Sequence, residues 1–218
     1  MTARRIALVV LLAAVAGVAA GVAAHELTAR SAARPTALAL PELHGQATWA
    51  SGKRPAPSFT LRNVLGGSVS LASTRGHATL IAFLDSRCRS LCPIVGRAIG
   101  DTERALAARA RPEVLVVSVD PAGDSAASVR SAARRWRMGP NWRWLTGTRA
   151  QLAAVWRSYG IVVRPRANDI VHGSAVYLVD ARGDERAGYL APLLPNFLAL
   201  DVRRVEARTR AASGSSDA

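Results

Sequence analysis

Cys88 and Cys92 are the only two cysteines in 218 residues, and both stand in FLDSRCRSLCPI, residues 83–94. Two thiols four residues apart can form a disulfide, act as a redox couple or supply two arms of a metal site. Side chains at i and i+4 share one face of a helix, so the sulfurs can reach each other or a common ion. A purely structural disulfide would close a very small loop and stabilise little. An inert core pair does not suit the neighbours Arg87, Arg89 and Ser90. The thiolate is the form that binds metals and attacks disulfides, and a helix N-terminus with Arg87 and Arg89 beside it is expected to favour that form. Two sulfurs rarely complete a site. Soft donors favour Cu(I), or Zn with further ligands, and a histidine is the natural third donor. Of the four histidines, His25 and His44 lie in the N-terminal stretch, His77 reads as a turn residue, and His172 in NDIVHGSAVYLVD precedes an apolar strand. Asp85 and Asp120 fall at strand ends, where turn roles are expected and a contact to the site is the alternative. Met138 is a soft donor by chemistry and a gap filler by expectation.

The elements that must position these residues alternate in period. SFTLRNVLGGSVSLAS reads as two short strands around Gly66-Gly67. ATLIAFLD (78–85) and EVLVVSVD (113–120) are short continuous apolar runs, as buried parallel strands are. Helices are expected over 93–110, 125–138 and 148–160, with a short strand, WRWLTG, before the third. SAVYLVDARGDERAGYL (174–190) reads as a hairpin turning at Gly183-Asp184, and a last helix starts near Pro195. Strands alternating with helices predict an α/β fold with a parallel-cored sheet and an antiparallel hairpin at one edge. The cysteines then follow the carboxyl end of the first parallel strand, where sites in open α/β sheets form.

The chain divides by composition into a basic end (1–5), an uncharged apolar run (6–24), a proline-bearing tether (25–57), a folded domain (58–210) and a small polar tail (211–218) that is expected to be disordered. A run of about 19 apolar residues is long enough to span a bilayer, and Arg4 and Arg5 keep the end before it cytoplasmic. The expectation is a single-pass anchor in the cell membrane with the domain on the extracytoplasmic side. Cleavage as a signal peptide, and secretion, is the alternative. The formal charge is +14, from 29 basic and 15 acidic residues, and Lys53 is the only lysine. The arginines are spread along the chain rather than gathered in a tract, which argues against a nucleic-acid partner. RRWRMGPNWRW (134–144) interleaves arginine and tryptophan, but Trp136, Trp142 and Trp144 are expected to pack rather than stack on bases. A basic domain is expected to dock on an acidic surface, with affinity falling as salt is added.

The order of motifs resembles the SCO/SenC family of thioredoxin-fold copper proteins over most of residues 58–190. FTLRNVLGGSVSLASTRGHATLIAFLDSRCRSLCP resembles that family's opening hairpin, strand and C-x-x-x-C-P. VVSVDPAGDSAASVRSAARRW, WRWLTGTRAQLAAVWRSYGI and VHGSAVYLVDARGDERAGY resemble its following segments. The resemblance implies a thioredoxin-like fold, a central mixed sheet flanked by helices with an N-terminal β-hairpin extension. It implies a copper site, for Cu(I) or Cu(II), made by Cys88, Cys92 and His172. It also implies a partner, the copper-site subunit of cytochrome c oxidase or another copper carrier, to which copper is delivered or whose cysteines are reduced. The chain departs from the pattern in two places. Arg89-Ser90-Leu91 stands between the cysteines where the family has Pro-Asp, and Gly173 follows His172 where the family has serine. The alternative function is a membrane-tethered thiol–disulfide oxidoreductase using Cys88 and Cys92. Against it, thioredoxins use C-x-x-C and mostly set a proline before the strand where His172 stands here.

Overall fold

Two uninterrupted apolar runs set the middle of the sheet. In the computed structural model, which describes residues 42–166 and 170–214, they form β4 (Thr79–Leu84) and β5 (Glu113–Ser118), paired in parallel from Thr79↔Glu113 to Leu84↔Ser118. Every residue of β4 is buried. Because side chains alternate across a strand, Leu80, Ala82 and Leu84 join one core layer while Ile81 and Phe83 join the other.

The remaining strands are β1 (Ala47–Thr48), β2 (Thr60–Asn63), β3 (Ser68–Ser70), β6 (Trp142–Thr146), β7 (Val163–Pro165), β8 (Ile170–His172), β9 (Ala175–Val179) and β10 (Glu185–Leu190). Among the described residues, eight of the ten strands form one sheet in the order β1-β10-β9-β4-β5-β6-β2-β3, and β7 and β8 pair only with each other. The parallel trio β4, β5 and β6 is continued by the antiparallel hairpin β9–β10 on one side and by the hairpin β2–β3 on the other. This is the mixed α/β sheet that the sequence predicts, with the N-terminal hairpin added outside β6.

Among the described residues, four α-helices cover it: α1 (Cys92–Arg104), α2 (Ala126–Trp136), α3 (Arg149–Ser158) and α4 (Pro195–Gly214). Local chemistry starts them. The Ser125 hydroxyl accepts from Ser128 N at α2, and Thr148 with Gln151 forms a capping box at α3. Val95, Ile99, Trp136, Leu198 and Val202 lie in one core layer, Leu152, Val155 and Tyr159 in the other. The tryptophans of 134–144 behave as packing residues, with Trp136 and Trp144 buried and their rings 5.9 Å apart. Met138 packs against the same layer.

α1 approaches its neighbours through glycine. A Cβ at Gly100 would lie 2.2 Å from the Arg137 carbonyl oxygen, and one at Gly96 would lie 2.5 Å from the Trp136 ring. Gly100→Ala is therefore expected to destabilise the fold by about 1–3 kcal/mol, because backbone must move and the helix-propensity gain of about 1 kcal/mol does not offset it. Urea unfolding of the two chains measures the difference.

Three boundaries differ from expectation. The folded unit starts at Leu43, not Ser58. Leu43 is 1% exposed, His44 bonds Asp201 through its backbone N and its ring, and β1 pairs with β10. A single apolar anchor and two strand residues suffice for this, and neither has a sequence period. The helix expected over 93–110 ends at Arg104, and a separate 3-10 turn follows at Ala108–Ala110. Pro112 disfavours helix at the residue before it. α4 runs to Gly214, into the expected tail. The basic end, the apolar run 6–24, the tether up to residue 41 and residues 215–218 lie outside the described residues. No helix among the described residues is long and apolar enough to cross a membrane.

Candidate metal and thiol site

The loop after β4 delivers the cysteines. Ser86 N donates to the Asp124 carboxylate (2.9 Å), Arg87 N to the Asp85 carboxylate (2.7 Å) and Cys88 N to the Asp85 carbonyl (3.2 Å). Cys92 then opens α1, with Pro93 at the first helical positions, where its missing N–H costs nothing. Cys92 is buried at 1% exposure and Cys88 is half-buried; neither is in a disulfide.

The two thiols are not equivalent. Cys88 is driven down to about 4, first by a hydrogen bond from the Cys92 thiol and then by Ser90 and the backbone N–H groups of Ser90 and Cys92, against the opposing effect of burial. Cys92, which donates that bond and is more deeply buried, is driven well above the ordinary thiol range. The pair holds one thiolate, on Cys88, and one proton, on Cys92. The arginines are not among the largest causes, contrary to expectation. Arg87 is committed to Asp120, with a salt bridge from Nη2 and a 3.1 Å bond from Nε to Oδ2. Asp120 also accepts from Gly123 N, so it has the turn role expected of it, as Asp85 has through Arg87 N.

His172 arrives from outside the main sheet. It is the last residue of β8, paired with Val163 of β7, and Gly173 N donates to the Val162 carbonyl just beyond. Its Nε2 lies 3.4 Å from Cys92 Sγ, and its Nδ1 is 3.0 Å from the Gly173 carbonyl oxygen. A carbonyl oxygen only accepts, so Nδ1 carries a proton there and Nε2 is the nitrogen that faces the sulfur, the arrangement that makes an imidazole a ligand. The glycine that follows His172 supplies the orienting carbonyl. His77 is exposed in a turn, and His44 stacks on Phe197 at 4.4 Å while bonding Asp201. His25 lies outside the described residues. Among the described residues no three His, Cys, Asp or Glu side chains are already gathered as a metal cluster. Cys92 and His172 converge, and Cys88 has its sulfur turned to Ser90 Oγ (3.5 Å) as well as to Cys92.

One structural residue is absent from the sequence reading. Asp124 accepts from Ser118 Oγ (2.6 Å), Trp144 Nε1 (2.7 Å) and Ser86 N, tying β5, β6 and the cysteine loop together. Burial raises its carboxyl, and those three donors oppose the rise. The only signal in the sequence is a second aspartate four residues after Asp120.

The family model for SCO1/SenC matches residues 48–205. The chain belongs to the SCO1/SenC family. It is 30% identical over 131 residues to the SCO1 protein homolog of Bacillus subtilis (strain 168), covering 57% of this chain and 68% of that one. Among solved structures it is similar to Bradyrhizobium japonicum ScoI with copper bound (25% identity, 69% of this chain and 99% of that one, TM-score 0.61). It is likewise similar to BsSco, described as a member of the Sco family of cytochrome c oxidase assembly proteins with a disulfide switch (25% identity, 74% and 98%, TM-score 0.62). The thioredoxin-like fold expected of a SCO1/SenC chain is the fold observed.

Proposed function

We propose that this chain is a membrane-tethered, extracytoplasmic copper-binding protein. In this reading it delivers copper to the binuclear copper site of cytochrome c oxidase, or prepares that site. Cys88, Cys92 and His172 hold the metal. The observation that carries the reading is the 3.4 Å approach of His172 Nε2 to Cys92 Sγ, because it brings a histidine from a separate hairpin onto the cysteine pair. Two sulfurs and an imidazole are a donor set for Cu(I). Cys88 is ready as thiolate, and Cys92 gives up its shared proton as the ion enters. Rotation of the Cys88 side chain completes the set. Copper is cargo here: a partner thiolate displaces one donor at a time. A Cys88–Cys92 disulfide would remove two donors at once, so the redox state gates loading.

The same asymmetry favours a second reading, reduction of partner cysteines. Cys88 is the thiolate that attacks, and Cys92 is the protonated thiol that resolves the mixed disulfide.

Competition of the reduced full-length chain with a chromophoric Cu(I) chelator tests the first reading. One tight copper per chain is expected. Cys88→Ser and Cys92→Ser are each expected to weaken it by more than about a hundredfold, and His172→Ala by about ten- to a hundredfold, since even outer-sphere partners are worth that much. No tight copper, or indifference to His172, would overturn it.

A further inference from the structure

Beside Cys88, between the cysteine loop and the outer faces of α1 and α2, lies a cleft of about 620 Å³. Arg87, Arg89, Arg97 and Arg135 line it together with Cys88 and Trp136, and no carboxylate among the described residues does. Two of the four guanidinium groups are occupied within the fold. Arg87 pairs with Asp120, and Arg135 donates to Ser131 Oγ (2.8 Å) and to the Ser86 carbonyl (3.2 Å). The side chains of Arg89 and Arg97 are exposed and make no hydrogen bond or ion pair to another described residue. Unpaired like charges held around one concavity repel each other and focus a positive field on it. Nothing in the core layers requires Arg89 or Arg97, whose side chains leave α1 and its approach on the solvent side. Planar guanidinium forks match carboxylates in pairs.

We infer that this cleft receives an acidic segment of the copper-exchanging partner, whose carboxylates bind Arg89 and Arg97 and so set a flanking cysteine of that segment beside Cys88. The volume suits a few side chains rather than a protein face, and the thiol that exchanges copper must approach the half-buried Cys88 rather than the buried Cys92. The inference rests on the proposed function for what is exchanged. The cleft also guides encounter: opposite charge speeds association and selects among thiols, so neutral thiols gain no such advantage.

The test uses the reduced full-length chain and two fluorescent peptides. In each, serine replaces the central cysteine, so that no exchange occurs. One has two glutamates on each side of the serine, the other glutamines. At low salt the glutamate peptide is expected to bind at least about tenfold more tightly, with the advantage lost on adding salt. Arg89→Glu/Arg97→Glu, and the milder Arg89→Gln/Arg97→Gln, are expected to abolish the difference between the peptides while leaving Cu(I) affinity unchanged, which also shows the variants folded. Equal binding of the two peptides, or a preference that survives both variants, would overturn the inference. Displacement of the glutamate peptide by equimolar succinate would assign the cleft to small dicarboxylates and overturn it too. A charge preference in a chain that binds no copper would uphold the cleft and sink the proposed function; copper binding without the preference would do the reverse.

Discussion

Alkylation of Cys88 is expected to be almost independent of pH between 5.5 and 8.5. An ordinary thiol, with its pKa near 8.5, gains several hundredfold in thiolate over that range, and its rate follows. Cys88 sits at about 4. Its pKa is lowered, so the thiolate is present at all pH values above about 4 and is lost only as the pH falls through that value. The rate profile of iodoacetamide labelling, followed by mass spectrometry at Cys88, should therefore be flat above pH 5.5 and fall below it. The plateau will be modest, because a less basic thiolate is a poorer nucleophile. The cause is testable in the same assay. The largest contribution comes from the Cys92 thiol, so Cys92→Ala should move the midpoint upward by several pH units. Ser90→Ala, which removes a smaller contribution, should move it less. A midpoint near 8 in the unmodified chain would overturn the assignment of thiolate and proton within the pair.

Asp124→Ala is expected to cost about 3–5 kcal/mol of stability. The substitution strips partners from the Trp144 indole N–H, the Ser118 hydroxyl and the Ser86 N–H. Trp144 and Ser118 are fully buried, so water cannot replace what is lost, and each orphaned donor costs about 1–3 kcal/mol. Asp124→Asn keeps the size of the side chain but can accept at only one of its two polar ends, so a smaller loss of about 1–2 kcal/mol is expected. Guanidinium unfolding of the three chains gives the order. Because Ser86 is two residues before Cys88, the alanine variant should also loosen the cysteine loop and weaken Cu(I) binding, with all three proposed ligands intact. A stability change below about 1 kcal/mol in the alanine variant would show that the carboxylate is not the tie between β5, β6 and the loop.

The parts of the fold legible in the sequence were those with a period or a punctuation. β4 and β5 show as unbroken apolar runs because both faces of the sheet are covered. Gly66-Gly67 marks the first hairpin, since both take positive φ. Capping residues mark α2 and α3. What was not legible depends on tertiary contact. β1 is two exposed residues held by an edge and by Leu43. The hairpin β7–β8 has three residues in each strand, with Pro165 ending the first, and no alternation reveals it. His172 is legible as a candidate ligand from its place in a motif, whereas the orienting role of Gly173 depends on the folded backbone. The arginines beside Cys88 show the same dependence on tertiary contact. Sequence proximity suggested that they act on the sulfur, but the partner that wins Arg87 is Asp120, 33 residues away and at hydrogen-bonding distance. For Cys88 the nearer donors are a thiol and backbone N–H groups.

The cleft beside Cys88 is walled by guanidinium groups, and the chain as a whole has a single amine side chain, Lys53. Guanidinium keeps its proton at every pH a folded protein meets. The guanidinium charge around the site is therefore a constant, while the sulfur within it is a variable. An oxidant can quench the nucleophile without dimming the attraction that brings a partner to it, and reagents that acylate amines leave the guanidinium groups intact. Recognition and reactivity thus answer to different controls: ionic strength sets the first, and oxidant sets the second.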